Sequence, residues 1–249
     1  MSANNAATPV TVTHKNGISC LKLNRPDHLN ALNAEMVESL ISGLDEAVQK
    51  NSHLIIFSGE GRAFSAGFDL SSLDQQSDAD LLYRFVRVEQ LLQHIFVMPI
   101  TTLALVHGRC FGAAADMVAT CSHRIAAPGS SFRMPGLQFG IVLGTRRLAN
   151  LIGRDAALDL LETSRVFSAE TALDCGFITA IHETDYWPEL TARIAANAGS
   201  LNAHAKAKLM RATRDEHALD SDLAELVRSA ALPGLADRVR HFVASQVKK

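Results

Sequence analysis

One event happens twice in this chain and limits what it can fold into: an apolar run ends in glycines, and very small residues follow. The first run is His53-Leu54-Ile55-Ile56-Phe57-Ser58, closed by Gly59 and Gly61 and followed by Ser65-Ala66-Gly67. The second, Thr101 to His107, passes through Gly108 into Gly112-Ala113-Ala114-Ala115. Short apolar runs bounded by turn residues read as strands buried on both faces, which belong to sheets covered by helices. Candidate covering helices are present. Asn33 caps a segment with Met36, Val37, Leu40, Ile41, Leu44 and Val48 at helical spacing. Asp78 to Val97 is long and amphipathic, a Gly-Ala-rich helix starts near Gly112, and His123 to Ala127 reads as a further short strand. Strands alternating with helices predict an α/β fold with its functional loops at strand ends.

The two ends of the chain differ from this middle. Val10 to His14 and Ile18 to Leu23 alternate apolar and polar residues around Asn16-Gly17, the signature of a tight hairpin. Met1 to Pro9 is polar, lacks the features of a signal peptide and reads as a flexible lead-in. Beyond Trp187 strand signals vanish, and Pro233-Gly234 divides an Ala-, Leu-, Arg- and Asp-rich stretch into at least two helices. The expected organisation is a core over residues 1–186 and a helical region over 187–249, packed on the core or on a neighbouring subunit.

Bulk properties remove several functions. A net charge of −2 over 249 residues gives no basic face for nucleic acid. No apolar run approaches the roughly 20 residues of a membrane helix, so neither a membrane nor a nucleic acid is expected as partner. Four cysteines, Cys20, Cys110, Cys121 and Cys175, show no paired spacing and read as reduced thiols, with no metal site nominated. These features predict a cytoplasmic protein. Arg146-Arg147 reads either as a solvated helix start or as a contact for a small anion.

The glycine turns are where chemistry is expected. Small residues at 65 to 67 let backbone approach a ligand closely. The helix start at Gly112 offers N–H groups with no partner inside the helix, suited to a phosphate or a developing enolate. Upstream stands Asn24-Arg25-Pro26-Asp27-His28-Leu29-Asn30-Ala31-Leu32-Asn33. Together, and in this order, the three segments resemble the fingerprints of the crotonase superfamily, the enoyl-CoA hydratase/isomerase family. Ser168 to Phe177 resembles a later landmark, and the likeness covers residues 10 to about 185.

That resemblance implies a crotonase-like α/β spiral of β-β-α turns with a C-terminal helical region, assembled as trimers or dimers of trimers. It implies an acyl-CoA substrate that carries its own coenzyme, so no separate cofactor. By motif position, the backbone N–H groups of Phe68 and Ala113 form the oxyanion hole, and His28, Leu29, Ala66, Asp69 and Leu70 line the CoA. Ala113 departs from the family's glycine run, keeping its N–H but adding a methyl. Asp27 replaces a basic residue often found there.

The two glutamates of a typical hydratase fall at Asp116 and Gly136. One carboxylate is shortened and the other absent, and Ile141-Val142-Leu143-Gly144 supplies no replacement. The wall opposite Asp116 is therefore expected to be apolar. Asp116 is the acid–base candidate, His107 a weaker one, and the expected chemistry is that of a lyase or isomerase using an enolate. Isomerisation or another single-base reaction is favoured over two-glutamate hydration. The alternatives are a non-catalytic acyl-CoA-binding paralogue or scaffold subunit, and a hydrolase for which no base is nominated.

Overall fold

The computed structural model describes residues 8–247. Residues 1–7 of the expected lead-in lie outside that range. Thr8 and Pro9 are tied down, because the Asn24 side chain and backbone N–H donate to their carbonyls.

Strands β1 (Val10–Lys15) and β2 (Ile18–Leu23) form the antiparallel hairpin, with Asn16 and Gly17 both at positive φ in its turn. Helix α1 (Ala34–Gln49) follows, its Asn33 side chain accepting from Met36 N at 2.9 Å. Next come β3 (Leu54–Gly59), α2 (Asp78–Val97), β4 (Thr101–Val106), β5 (Arg109–Phe111), α3 (Ala113–Thr120) and β6 (His123–Ala126). After these stand β7 (Ser131–Arg133), α4 (Thr145–Ile152), α5 (Arg154–Thr163), β8 (Phe167–Ser168), α6 (Ala169–Asp174) and β9 (Ala180–Ile181). The rest is helical: α7 (Trp187–Gly199), α8 (Ala203–Thr213), α9 (Leu219–Ala230) and α10 (Leu235–Val247).

The strands make two sheets. One runs β1-β2-β3-β4-β6-β9, parallel after the hairpin, and the other runs β5-β7-β8. Leu54 to Phe57 of β3 and all of β4 are buried because both faces of the sheet are covered. Phe57 and Ala104 join Leu40 and Leu44 of α1 and Leu91 of α2 in one cluster. Leu54, Ile56, Leu103 and Ile125 pack instead on Leu190 and Ile194 of α7. Burying each such side chain contributes about 1.5–3 kcal/mol. At the end of α1, Ala47 is buried and Val48, expected on the apolar face, is exposed.

The short strands β5, β7, β8 and β9 escape a reading by periodicity because two or three residues contain no period. The C-terminal helices close over the core. Leu226, Leu235 and Val239 join Leu81, Phe85, Phe139 and Ile141 in a separate cluster. The Asp78 carboxylate, at the start of α2, accepts from Gly234 N, Leu235 N and Ala236 N at 2.8–3.2 Å. One acidic side chain thereby anchors the start of α10.

Candidate active site

The loop after β3 is held in place by polar groups drawn from the upstream motif. Asn30 is fully buried, and its amide donates to Glu60 O and Ala63 O while its side-chain oxygen accepts from Arg25 N. Leu29 and Asn30 both adopt left-handed backbone, a costly pair of conformations that these bonds hold. Ser65 Oγ donates to Asn30 O at 2.7 Å and accepts from Gly67 N at 3.1 Å. Ser65 N bonds Arg109 O and Phe111 N bonds Ser65 O, so the loop lies edge to edge with β5.

Gly67 makes this approach possible. Its φ is +87°, and a Cβ there would collide with Phe111 O and lie 3.4 Å from Ala113 N. On either side of Phe68, Leu32 N bonds Gly67 O and Asp69 N bonds Leu32 O. That leaves the Phe68 N–H without a partner among the described residues. The Ala113 N–H is likewise unpaired, being the first of α3. The Phe68 ring stacks on Phe85 with centroids 4.2 Å apart, and the Arg84 guanidinium lies 4.1 Å above it. The loop thus brings two unpaired backbone donors side by side, the arrangement that can hold an oxyanion.

These donors border a cavity of about 230 Å³. Asp116, one turn into α3, also lines it; the residue is 5% exposed and its Oδ1 has no hydrogen-bond partner. Burial pushes its carboxyl well above the ordinary carboxylate range; the Arg147 charge opposes this and Glu89 adds to it. Gly144, at φ +66°, lies against this carboxylate, and any Cβ there would strike Oδ1. Met134, Pro135, Gly136, Leu137, Phe139, Ile141 and Leu143 supply an apolar share of the remaining lining, and Arg133, Thr145 and Gln246 add polar groups.

Comparison with known proteins agrees with this architecture. Residues 13–228 match the family model described as enoyl-CoA hydratase/isomerase. The chain belongs to the enoyl-CoA hydratase/isomerase family. A zebrafish (Danio rerio) protein, enoyl-CoA hydratase domain-containing protein 3, mitochondrial, is 32% identical over 78% of this chain and 69% of its own. A crystal structure from Bordetella parapertussis assigned to the enoyl-CoA hydratases/isomerases is 44% identical. It covers 96% of this chain and 99% of that one, with a TM-score of 0.94. An enoyl-CoA hydratase structure from Bacillus halodurans, 24% identical over 94% of this chain and 99% of that one, shares the fold at a TM-score of 0.83.

Within this family member, the residues expected around CoA do not all meet. Ala66 and Leu70 line the cavity beside Phe68, Ala113 and Asp116. Leu29 lies at a separate pocket with Arg62, Arg109 and Ser131, and His28 is exposed and borders neither. The Asp69 side chain is 7% exposed and takes an ion pair from Arg25 at 2.8 Å, so in this chain it braces the loop. His107 bonds Gly61 O at 2.8 Å and does not reach the cavity.

Arg147 is a correction. Far from being solvated, it is buried and makes a bidentate pair with Glu89 at 2.8 and 2.5 Å. Arg146 bonds Asp222 at 3.0 Å, so both arginines already have protein partners. The signal for this network was available: Glu89 stands on the apolar face of α2, between Phe85 and Leu92. No signal pointed to Arg133, which reaches the cavity from β7, or to Phe242 and Gln246, which line it because α10 folds over it. The cysteines are all free, two of them only half-buried, and burial raises the Cys121 thiol to about 12, which leaves it unreactive.

Proposed function

We propose that the protein binds an acyl-CoA thioester and moves a proton at the carbon beside its carbonyl, with double-bond isomerisation favoured over hydration. One observation carries this reading. Among the described residues, a single buried carboxylate with an unpartnered oxygen shares a cavity with two unpaired backbone donors, and no other Asp, Glu or His lines it.

The thioester oxygen accepts from the Phe68 and Ala113 N–H groups. The Asp116 carboxylate removes a proton from C2 of a 3-enoyl thioester, and the C–H electron pair flows to the carbonyl oxygen. Two donors stabilise the enolate so formed, each contributing about 2.7–4 kcal/mol to barrier lowering in comparable sites. Asp116 returns its proton at C4, the electrons flow back, and a 2-enoyl thioester results. Burial raises this carboxyl above the ordinary range, which makes its ionised form a stronger base for the first proton removal. Hydration needs a second group to hold water, and Gly136 stands where that group would be. The same reading includes a trimer or dimer of trimers, on family likeness alone, and a cytoplasmic location, on composition and the unpaired cysteines.

Asp116→Ala is expected to abolish turnover while acyl-CoA binding persists. Enoyl-thioester absorbance, followed with 2-enoyl-CoA and 3-enoyl-CoA separately, reads the reaction. A gain from the 3-enoyl ester supports isomerisation, and a loss from the 2-enoyl ester overturns it in favour of hydration. Silence with both, together with tight binding, replaces the enzyme with an acyl-CoA-binding protein.

A further inference from the structure

We infer that the acyl group selected by this cavity is short and ends in a carboxylate, recognised by Arg133. The inference rests on the acyl-CoA reading above and goes beyond it by naming the substrate class.

Among the described residues, Arg133 is the one cation lining an otherwise largely apolar cavity. Its Nε donates to Ser164 O and its Nη1 to Gln246 Oε1, both at 2.7 Å and both neutral acceptors. A guanidinium carries five N–H donors, so three remain unpaired among the described residues. No carboxylate of the described residues pairs with it, in contrast to Arg147 with Glu89 and Arg25 with Asp69. Close by, Ser164 is 3% exposed and its Oγ is buried with no partner. The Phe242 ring, 6.0 Å from the guanidinium, helps fix the fork. Arg133 is half-buried, and a planar fork with free donors at an apolar cavity matches a carboxylate in bidentate fashion.

Position sets the length. The Arg133 carbonyl accepts from Gly112 N at 2.7 Å, so its backbone adjoins the oxyanion donors. The guanidinium lies within one arginine side chain of that point, roughly 7 Å, and an extended carbon chain advances about 1.3 Å per bond. That reach is an upper bound, so a diacid of at most about six carbons, esterified to CoA at one end, fits it.

The test compares glutaryl-CoA with pentanoyl-CoA, two saturated five-carbon esters that differ in the terminal carboxylate, by titration calorimetry. The wild type is expected to bind glutaryl-CoA at least about tenfold more tightly, as sites with unpaired polar groups discriminate against partners lacking the matching group. Arg133→Met should bring the two affinities within about twofold, and Arg133→Lys should keep part of the preference. Equal affinities in the wild type, or a preference that survives Arg133→Met, overturn the inference. Equal weakening of both esters by Arg133→Met also overturns it, by placing Arg133 on the CoA phosphates. Pentanoyl-CoA binding by the wild type tests the parent reading separately. If it binds as well as glutaryl-CoA, only the carboxylate inference fails; if neither ester binds, both fall. Should Arg133→Met fail to fold, the wild-type ratio and Arg133→Lys still decide.

Discussion

The two walls of the cavity were built by different means. The polar wall comes from backbone: two glycine turns leave the Phe68 and Ala113 N–H groups unpaired and set Asp116 one turn into α3. The opposite wall comes from side chains, Met134, Leu137, Phe139 and Ile141, with Phe242 arriving from the far end of the chain. Backbone donors survive most substitutions, whereas side-chain walls can be exchanged one residue at a time. The difference teaches that the site's capacity to hold an oxyanion is fixed by the fold, while its reaction and substrate depend on a few replaceable groups.

The largest expected effect breaks the polar wall. Gly67→Ala adds a Cβ that collides with Phe111 O at a φ of +87°. A misplacement of about 1 Å costs roughly a hundredfold in rate, so kcat/KM toward any accepted thioester should fall at least that far. Retained activity would show that the donors need no close approach.

The charges behind Asp116 come next. Breaking the buried Glu89–Arg147 pair with Arg147→Met should cost about 3–5 kcal/mol of stability in denaturant melts, because Glu89 is left buried and unpaired. Replacing both, as Glu89→Leu with Arg147→Met, should restore most of it. No recovery in the double variant would mean that packing rather than charge is at stake.

Altering the apolar wall sharpens the comparison from the other side. Gly136→Glu places a carboxylate where a hydratase would have one, its Cβ 3.0 Å from Ile141 O. Hydration of 2-enoyl-CoA should appear, and its continued absence would show that more than one group is missing.

The smallest effect is a pH dependence. Asp116 has a folded-state pKa raised above its unfolded value of about 3.9. The folded state therefore binds more protons, and stability falls as pH climbs from about 4 through the raised value. Asp116→Asn removes that penalty. It should melt above the wild type at pH 7 and level with it near pH 4, by calorimetry at both.

Much of this was legible along the chain. The hairpin, α1 with its Asn33 cap, the buried strands and both glycine turns rest on local rules, periodicity and turn chemistry. Other features were hidden for physical reasons. Asp69 looks like a pocket residue until Arg25, 44 positions away, is seen to take its charge. Arg147 looks solvated until α2 brings Glu89 to it.

The sequence by itself determined the hairpin, the long helices, the buried strands β3 and β4, the tight turns and the family, because each follows from neighbours a few residues apart. Only the tertiary structure decided which charges are paired, how far Asp116 is buried, and that α10 brings Phe242 and Gln246 to the cavity beside Arg133. Those outcomes depend on desolvation and on partners distant in sequence, and neither quantity exists until the chain has folded.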